Sequence, residues 1–116
     1  MDLICYAATN CPGGTHVLTQ LEEEAPVGRT VLCRTIEELD RSLLRPLDDV
    51  LAVLLFLADD ADLARILTLK DVLDETRVIL ILPRWDPDLV TGGHFLRPRF
   101  MTCRGLDLAE LRAVLN

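Results

Sequence analysis

Two stretches of this 116-residue chain bring together residue types that can do chemistry. The first is an acidic run, Asp59, Asp60 and Asp62, placed directly after a long apolar segment. Clustered carboxylates can hold a hard divalent cation, and an aspartate can accept a phosphoryl group. The same residues also suit the first turn of a helix, where carboxylates cap backbone amides and interact favourably with the helix dipole. We favour this structural interpretation of the acidic run.

The second stretch is the loop Thr9–Thr15, which is dense in turn-forming residues. Glycines before a helix expose N–H groups to an anion, and a thiol near a helix N-terminus is stabilised as the thiolate. The loop lacks the lysine of a P-loop, however, and Val17 stands where a phosphatase loop needs arginine. An ordinary turn with an inert thiol is the simpler interpretation. The alternative is a small-ligand or thiol-redox loop formed by Thr9, Asn10, Cys11, Gly13 and Gly14.

The composition of the chain argues against several classes of function. A net charge of −7 does not suit a nucleic-acid surface, which needs a basic face. No apolar run reaches the ~18 residues that span a bilayer, so we expect no membrane association. No spacing of histidine and cysteine fits a zinc site, and we expect neither a metal nor a cofactor. The sequence begins without the basic region of a secretory signal, so we expect a cytoplasmic protein.

Five predicted strands, alternating with helices, must position these residues. The run 50–58 is apolar without alternation, which is typical of a strand buried on both faces of a parallel sheet. Strands starting near residues 3, 30, 51, 77 and 99 repeat at the length of a βα unit. The second strand is short, and proline and charge flank the fifth, which suits sheet edges. The sequence therefore predicts one domain over 1–116, a three-layer α/β/α sandwich whose five-stranded parallel sheet has the order 2-1-3-4-5.

Capping signals predict where the helices begin. Thr35 and Glu38 have the capping-box spacing at the start of the second helix. That helix is expected to direct four apolar side chains inward, namely Ile36, Leu39, Leu43 and Leu44. The first and last helices are predicted over 16–24 and 107–115.

The third predicted helix precedes the fourth strand in the sequence, and the fourth predicted helix follows it. An aspartate of the acidic run caps the third helix, whose apolar residues continue at helical spacing to Leu73. Pro87 suits the first position of the fourth helix. We expect Gly92 and Gly93 to end this helix within two turns.

Five βα units in a chain of this length resemble the receiver domain of response regulators, which has a flavodoxin-like fold. The plainest match is the segment 101–111, MTCRGLDLAEL, which is similar to the receiver passage from strand five through Lys-Pro into helix five. A receiver holds magnesium with an acidic pair after strand one and phosphorylates an aspartate at the end of strand three. It contacts the phosphoryl group with a hydroxyl residue after strand four and a lysine after strand five.

The chain departs from the receiver motif at nearly every one of these positions. Neutral residues 7–10 replace the acidic pair, apolar residues 82–83 replace the hydroxyl, and Arg104 replaces the lysine. Without the acidic pair, a hard divalent cation is poorly held. A phosphoacceptor function is therefore an alternative only, with Asp59 or Asp60 as acceptor and Arg104 as the phosphoryl contact.

The resemblance, with these losses, implies a pseudo-receiver, a non-enzymatic signalling or scaffolding module that acts through protein contacts. The contact surface that the resemblance implies is the face of the fourth helix, fifth strand and fifth helix, used for a protein partner or a homodimer. The candidate contact residues on this face are Trp85, Leu89, Phe95, Arg97 and Arg99.

Overall fold

The structure, a computed structural model, describes residues 2–7, 29–44 and 50–103, which contain a five-stranded parallel sheet. The strands are β1 (Asp2–Ala7), β2 (Arg29–Cys33), β3 (Val50–Phe56), β4 (Val78–Leu82) and β5 (Phe100–Cys103). Their order is β2-β1-β3-β4-β5, and each neighbouring pair is parallel. The predicted strand order is confirmed, with the short second strand and the proline-flanked fifth strand at the two edges.

The described segments contain four helices, α1 (Ile36–Ser42), α2 (Asp60–Leu67), α3 (Lys70–Leu73) and α4 (Pro87–His94). The single third helix predicted from the sequence is wrong in one respect, because it is divided into α2 and α3. The Thr68 hydroxyl donates to the Arg65 carbonyl at 2.6 Å, a local bond that competes with helix continuation. The helices predicted over 16–24 and 107–115 lie outside the described residues.

Both faces of the sheet are buried, because successive residues of the inner strands enter opposite core clusters. In β1, Ile4 and Tyr6 belong to one cluster, whereas Leu3, Cys5 and Ala7 belong to the other. β3 and β4 alternate in the same way. The described helices contribute to the first cluster through Leu39, Leu63, Ile66, Leu73 and Leu89. The fold is therefore a flavodoxin-like α/β sandwich, in which the described helices pack on one face of the sheet.

Helix α1 confirms its predicted cap but not all of its predicted core face. The Thr35 side chain accepts a hydrogen bond from the Glu38 N–H at 3.1 Å, as the capping box requires. Leu39 and Leu43 are buried. Leu44 is 78% exposed, so its predicted inward position is wrong. The helix ends at Ser42 with Leu43 as its C-cap, so Leu44 lies beyond the last helical turn.

Helix α4 begins at Pro87 as predicted, but the two glycines do not end it. They lie inside the helix, which continues to His94. A Cβ at Gly93 would stand 2.7 Å from Leu80 Cδ2 and 2.8 Å from Met101 Cε. Close packing of α4 on the sheet therefore accounts for glycine here. None of the helices in the described segments is long and apolar enough to cross a bilayer.

Candidate functional site

The acidic run lies at the carboxyl end of β3, and two of its members have structural partners at the surface. The Asp59 side chain accepts the Asp62 N–H at 2.9 Å and so caps α2. Asp60 is exposed, and its Oδ1 lies 3.2 Å from Nη2 of Arg84. The first contact follows from the position of Asp59 as the N-cap of α2, and the second joins α2 to the loop after β4.

Asp62 differs from its neighbours because it is only 2% exposed. Its Oδ1 accepts from the Tyr6 hydroxyl at 3.1 Å and from Arg65 Nη1 at 3.3 Å. Its Oδ2 accepts from the Ala58 N–H at 2.9 Å. A buried carboxylate requires such partners, because desolvation of an unpaired charge is strongly unfavourable. Asp62 thus joins β1, the end of β3 and α2 at one point.

Sequence reasoning missed the buried role of Asp62, although a signal for it exists. Asp59 and Asp62 stand at the N-cap and third positions of α2, and the Asp62 carboxylate reaches back to the Ala58 N–H. In α1, Glu38 reaches back to the Arg34 N–H in the same way, at 3.0 Å. The capping-box pattern could therefore have identified Asp62 as a structural acid. Its pairing with a tyrosine 56 residues away could not have been found from local pattern.

The environment of Asp62 changes the pKa of Tyr6. Burial raises the pKa of the Tyr6 phenol above its ordinary value of about 10, and the charge and hydrogen bond of Asp62 raise it further. The phenol is therefore protonated at neutral pH and donates to the carboxylate. A phenol held in this state is not a base or a nucleophile.

A pocket of about 300 Å³ opens above this pair, between the start of α1 and the first turns of α2. Its charged groups are two guanidinium groups and two carboxylates, so its formal charges balance. The lining residues are Tyr6, Arg34, Thr35, Ile36, Glu37, Asp62 and Arg65. In this pocket, Tyr6 and Arg65 both donate hydrogen bonds to Asp62. These side chains therefore satisfy one another more than they offer hydrogen bonds to a ligand.

The phosphoacceptor alternative finds no support at the end of β3. Phe56 and Leu57 are buried, and Asp59 uses its carboxylate as the cap of α2. Across the described ranges, no group of three metal-binding side chains is placed to hold an ion. Arg104 and the candidate loop residues Thr9, Asn10, Cys11, Gly13 and Gly14 lie outside the described residues.

The surface around α4 and β5 carries most of the predicted contact residues. Trp85 and Phe95 flank α4 and are 59% and 58% exposed. Arg97 and Arg99, which precede β5, are also exposed. Leu89 is 2% exposed and packs in the core, so its assignment as a contact residue is wrong. On this two-turn helix the inward positions are Leu89 and Gly93, which are four residues apart.

Arg97 has a left-handed backbone conformation, with φ at 51°. Its N–H donates to the His94 carbonyl at 3.0 Å, which closes the turn after α4. Glycine is the usual residue at this kind of position, and another residue there is less stable by roughly 1–2 kcal/mol. The turn thus places an arginine where backbone energy alone would favour glycine.

Comparison with protein-family models, with curated proteins and with solved structures finds no match to this chain. The fold is therefore defined by its own topology, as an all-parallel α/β sandwich of strand order 2-1-3-4-5. The resemblance of the sequence to receiver domains therefore stays a prediction.

Proposed function

We propose that this protein is a non-enzymatic, pseudo-receiver-like module of the cytoplasm that acts through protein contacts. The surface proposed for these contacts is the α4–β5 face, defined by Trp85, Phe95, Arg97 and Arg99. The observation that carries the proposal is the exposure of Trp85 and Phe95, 59% and 58%, on either side of one helix. Tryptophan and other aromatic side chains, with arginine, are the residues that most often contribute strongly to interfaces.

The side chains at the carboxyl edge of the sheet differ from those of the α4–β5 face, and this difference supports a role without catalysis. There the acidic side chains are committed to structural contacts: Asp59 caps a helix, Asp60 pairs with Arg84, and Asp62 bonds Tyr6. A substrate would have to share these carboxylates with the contacts they already make. The exposed aromatic side chains of the α4–β5 face have no such commitment to the core.

Site-specific photocross-linking tests the proposal in the native cell. A photoreactive phenylalanine analogue at Phe95 or Trp85 is expected to form an adduct of defined mass. The same analogue at Leu44, which is 78% exposed at the end of α1, is the matched control and is expected to form none. The proposal is wrong if adducts are absent at the two aromatic positions or equally frequent at Leu44.

Affinity measurements with the purified partner then test the energetic role of the face. The Phe95→Ala and Trp85→Ala variants are expected to weaken binding by about 2 kcal/mol each, as interface anchors do. Leu44→Ala is expected to leave affinity unchanged. If the adduct is a second copy of this chain, sedimentation velocity should show a dimer that both aromatic substitutions dissociate.

A further inference from the structure

A short segment after α4 concentrates positive charge on an otherwise acidic protein. Residues 95–99 contain Arg97 and Arg99 and no carboxylate, although the whole chain has a net charge of −7. Among the described side chains, no carboxylate forms an ion pair with Arg97 or Arg99, whereas Arg84 pairs with two aspartates. We call Thr91, His94, Phe95, Arg97 and Arg99 the Phe95 patch.

The Phe95 patch also contains a concave apolar element. Thr91, His94 and Phe95 line a surface pocket of about 320 Å³, at the lower end of the sizes that bind small ligands. That volume admits one large apolar side chain. The patch therefore combines a place for an apolar anchor with two exposed guanidinium groups, whose fork geometry matches carboxylates.

We propose that the Phe95 patch binds an acidic segment of a partner protein, with one apolar side chain in the pocket and carboxylates at Arg97 and Arg99. The inference rests on the proposed function and names the partner's chemistry. Charge complementarity supports this proposal. The net negative charge of the protein repels an acidic segment elsewhere on the surface, whereas the arginines of the patch attract it. Two copies meeting through the patch alone would bring their arginines together, which is unfavourable.

Selection from a library of random short peptides tests this inference on the full chain. Peptides are selected on the wild-type protein after depletion on the Phe95→Ala variant, so that only patch-dependent binders remain. The expected binders have net negative charge and at least one large apolar residue. High salt is expected to weaken them, because exposed charge pairs are screened.

Two substitutions separate binding from folding. Arg99→Ala and Arg97→Gly are each expected to weaken the selected peptide about two- to fivefold by fluorescence anisotropy, the range of exposed ion pairs. Arg97→Gly relieves the left-handed backbone at this position, so its thermal midpoint should not fall. A loss of affinity in this variant therefore reports the side chain and not an unfolded protein. Arg41→Ala, on α1, is the control that should bind normally.

The possible outcomes distinguish the inference from the function on which it rests. Patch-dependent peptides that are neutral or basic would overturn the acidic partner and leave the protein-contact function standing. The absence of any Phe95-dependent peptide would overturn the inference, whereas the proposed function fails only if the cross-linking experiment fails. Displacement of the selected peptide by inorganic phosphate well beyond that caused by sodium chloride of equal ionic strength would also overturn the inference, because it would identify a phosphate site.

Discussion

The hydrogen bond between Tyr6 and Asp62 predicts a specific loss of stability in Tyr6→Phe. This substitution removes only the hydroxyl, which donates to Asp62 Oδ1 at 3.1 Å. Both residues are 2% exposed, so the bond forms in a largely desolvated environment. A hydrogen bond to a charged group contributes about 1.5–3 kcal/mol, so we expect the free energy of unfolding to fall by about 2 kcal/mol. Asp62 retains the Ala58 N–H and Arg65, which should keep the fold intact.

Urea unfolding followed by circular dichroism measures this effect, and a double-mutant cycle assigns it to the pair. Asp62→Asn replaces one carboxylate oxygen with an NH₂ group, which then faces one of the donors that now bond Asp62. This variant should also lose about 2 kcal/mol or more of stability. Because the two residues are in contact, their coupling energy should be about 1–2 kcal/mol. Asp60→Asn, at an exposed position, is the control and should change stability by less than about 0.5 kcal/mol.

Two results would refute this account of the carboxyl edge. One is a Tyr6→Phe variant within about 0.5 kcal/mol of the wild type, which would mean that the buried bond contributes no net stability. The other is additivity of the Tyr6 and Asp62 variants, which would place their effects in separate interactions. An unchanged m-value in all variants is the check that the unfolding transition itself is the same.

Three further predictions follow from contacts described above. The pKa of Tyr6 is raised in the folded state, so the stability that its protonated phenol contributes is complete below about pH 10 and is lost as pH rises through the folded pKa. The urea midpoint should therefore fall more steeply with alkaline pH in the wild type than in Tyr6→Phe. Gly93→Ala should lower stability by about 1–2 kcal/mol on chemical denaturation, since overpacking exceeds the gain in helix propensity. Gly92→Ala, with one close side-chain contact, should be nearly neutral, and equal effects would contradict this account. Magnesium followed by beryllofluoride, which mimics an acyl phosphate, should leave the Asp59 amide resonance unchanged; a shift there would revive the phosphoacceptor alternative.

Most of the fold could be predicted because burial on both faces leaves a direct trace in the sequence. The uninterrupted apolar residues of β1, β3 and β4 indicate interior strands, and proline with arginine around β5 indicates an edge. The failures have local causes. Leu44 was predicted inward because apolar spacing continues past the true end of α1. Gly92 and Gly93 were predicted to end a helix, but helix-on-sheet packing overrides their low helix propensity.

The candidate site was less predictable, because its geometry depends on contacts between distant segments. The sequence singled out Asp59, Asp60 and Asp62 as one acidic run, yet only Asp62 turns inward to Tyr6. The capping-box spacing marks Asp62 as a structural acid, but no local pattern reveals its bond to a tyrosine 56 residues away. The exposure of Trp85 and Phe95 likewise depends on how α4 packs on the sheet, and an apolar residue's type alone does not reveal its exposure.

The position of β1 between β2 and β3 has a consequence for synthesis of the chain. Leu3–Ala7 is fully apolar and β-forming, but its second partner, β3, is completed about 50 residues later. At a translation rate of roughly 5–20 residues per second, this segment emerges several seconds before its native pairing can be complete. During that interval it has the composition of an aggregation-prone segment and of a chaperone substrate. An interior strand of the finished sheet is thus an aggregation-prone segment of the nascent chain until β3 has been made.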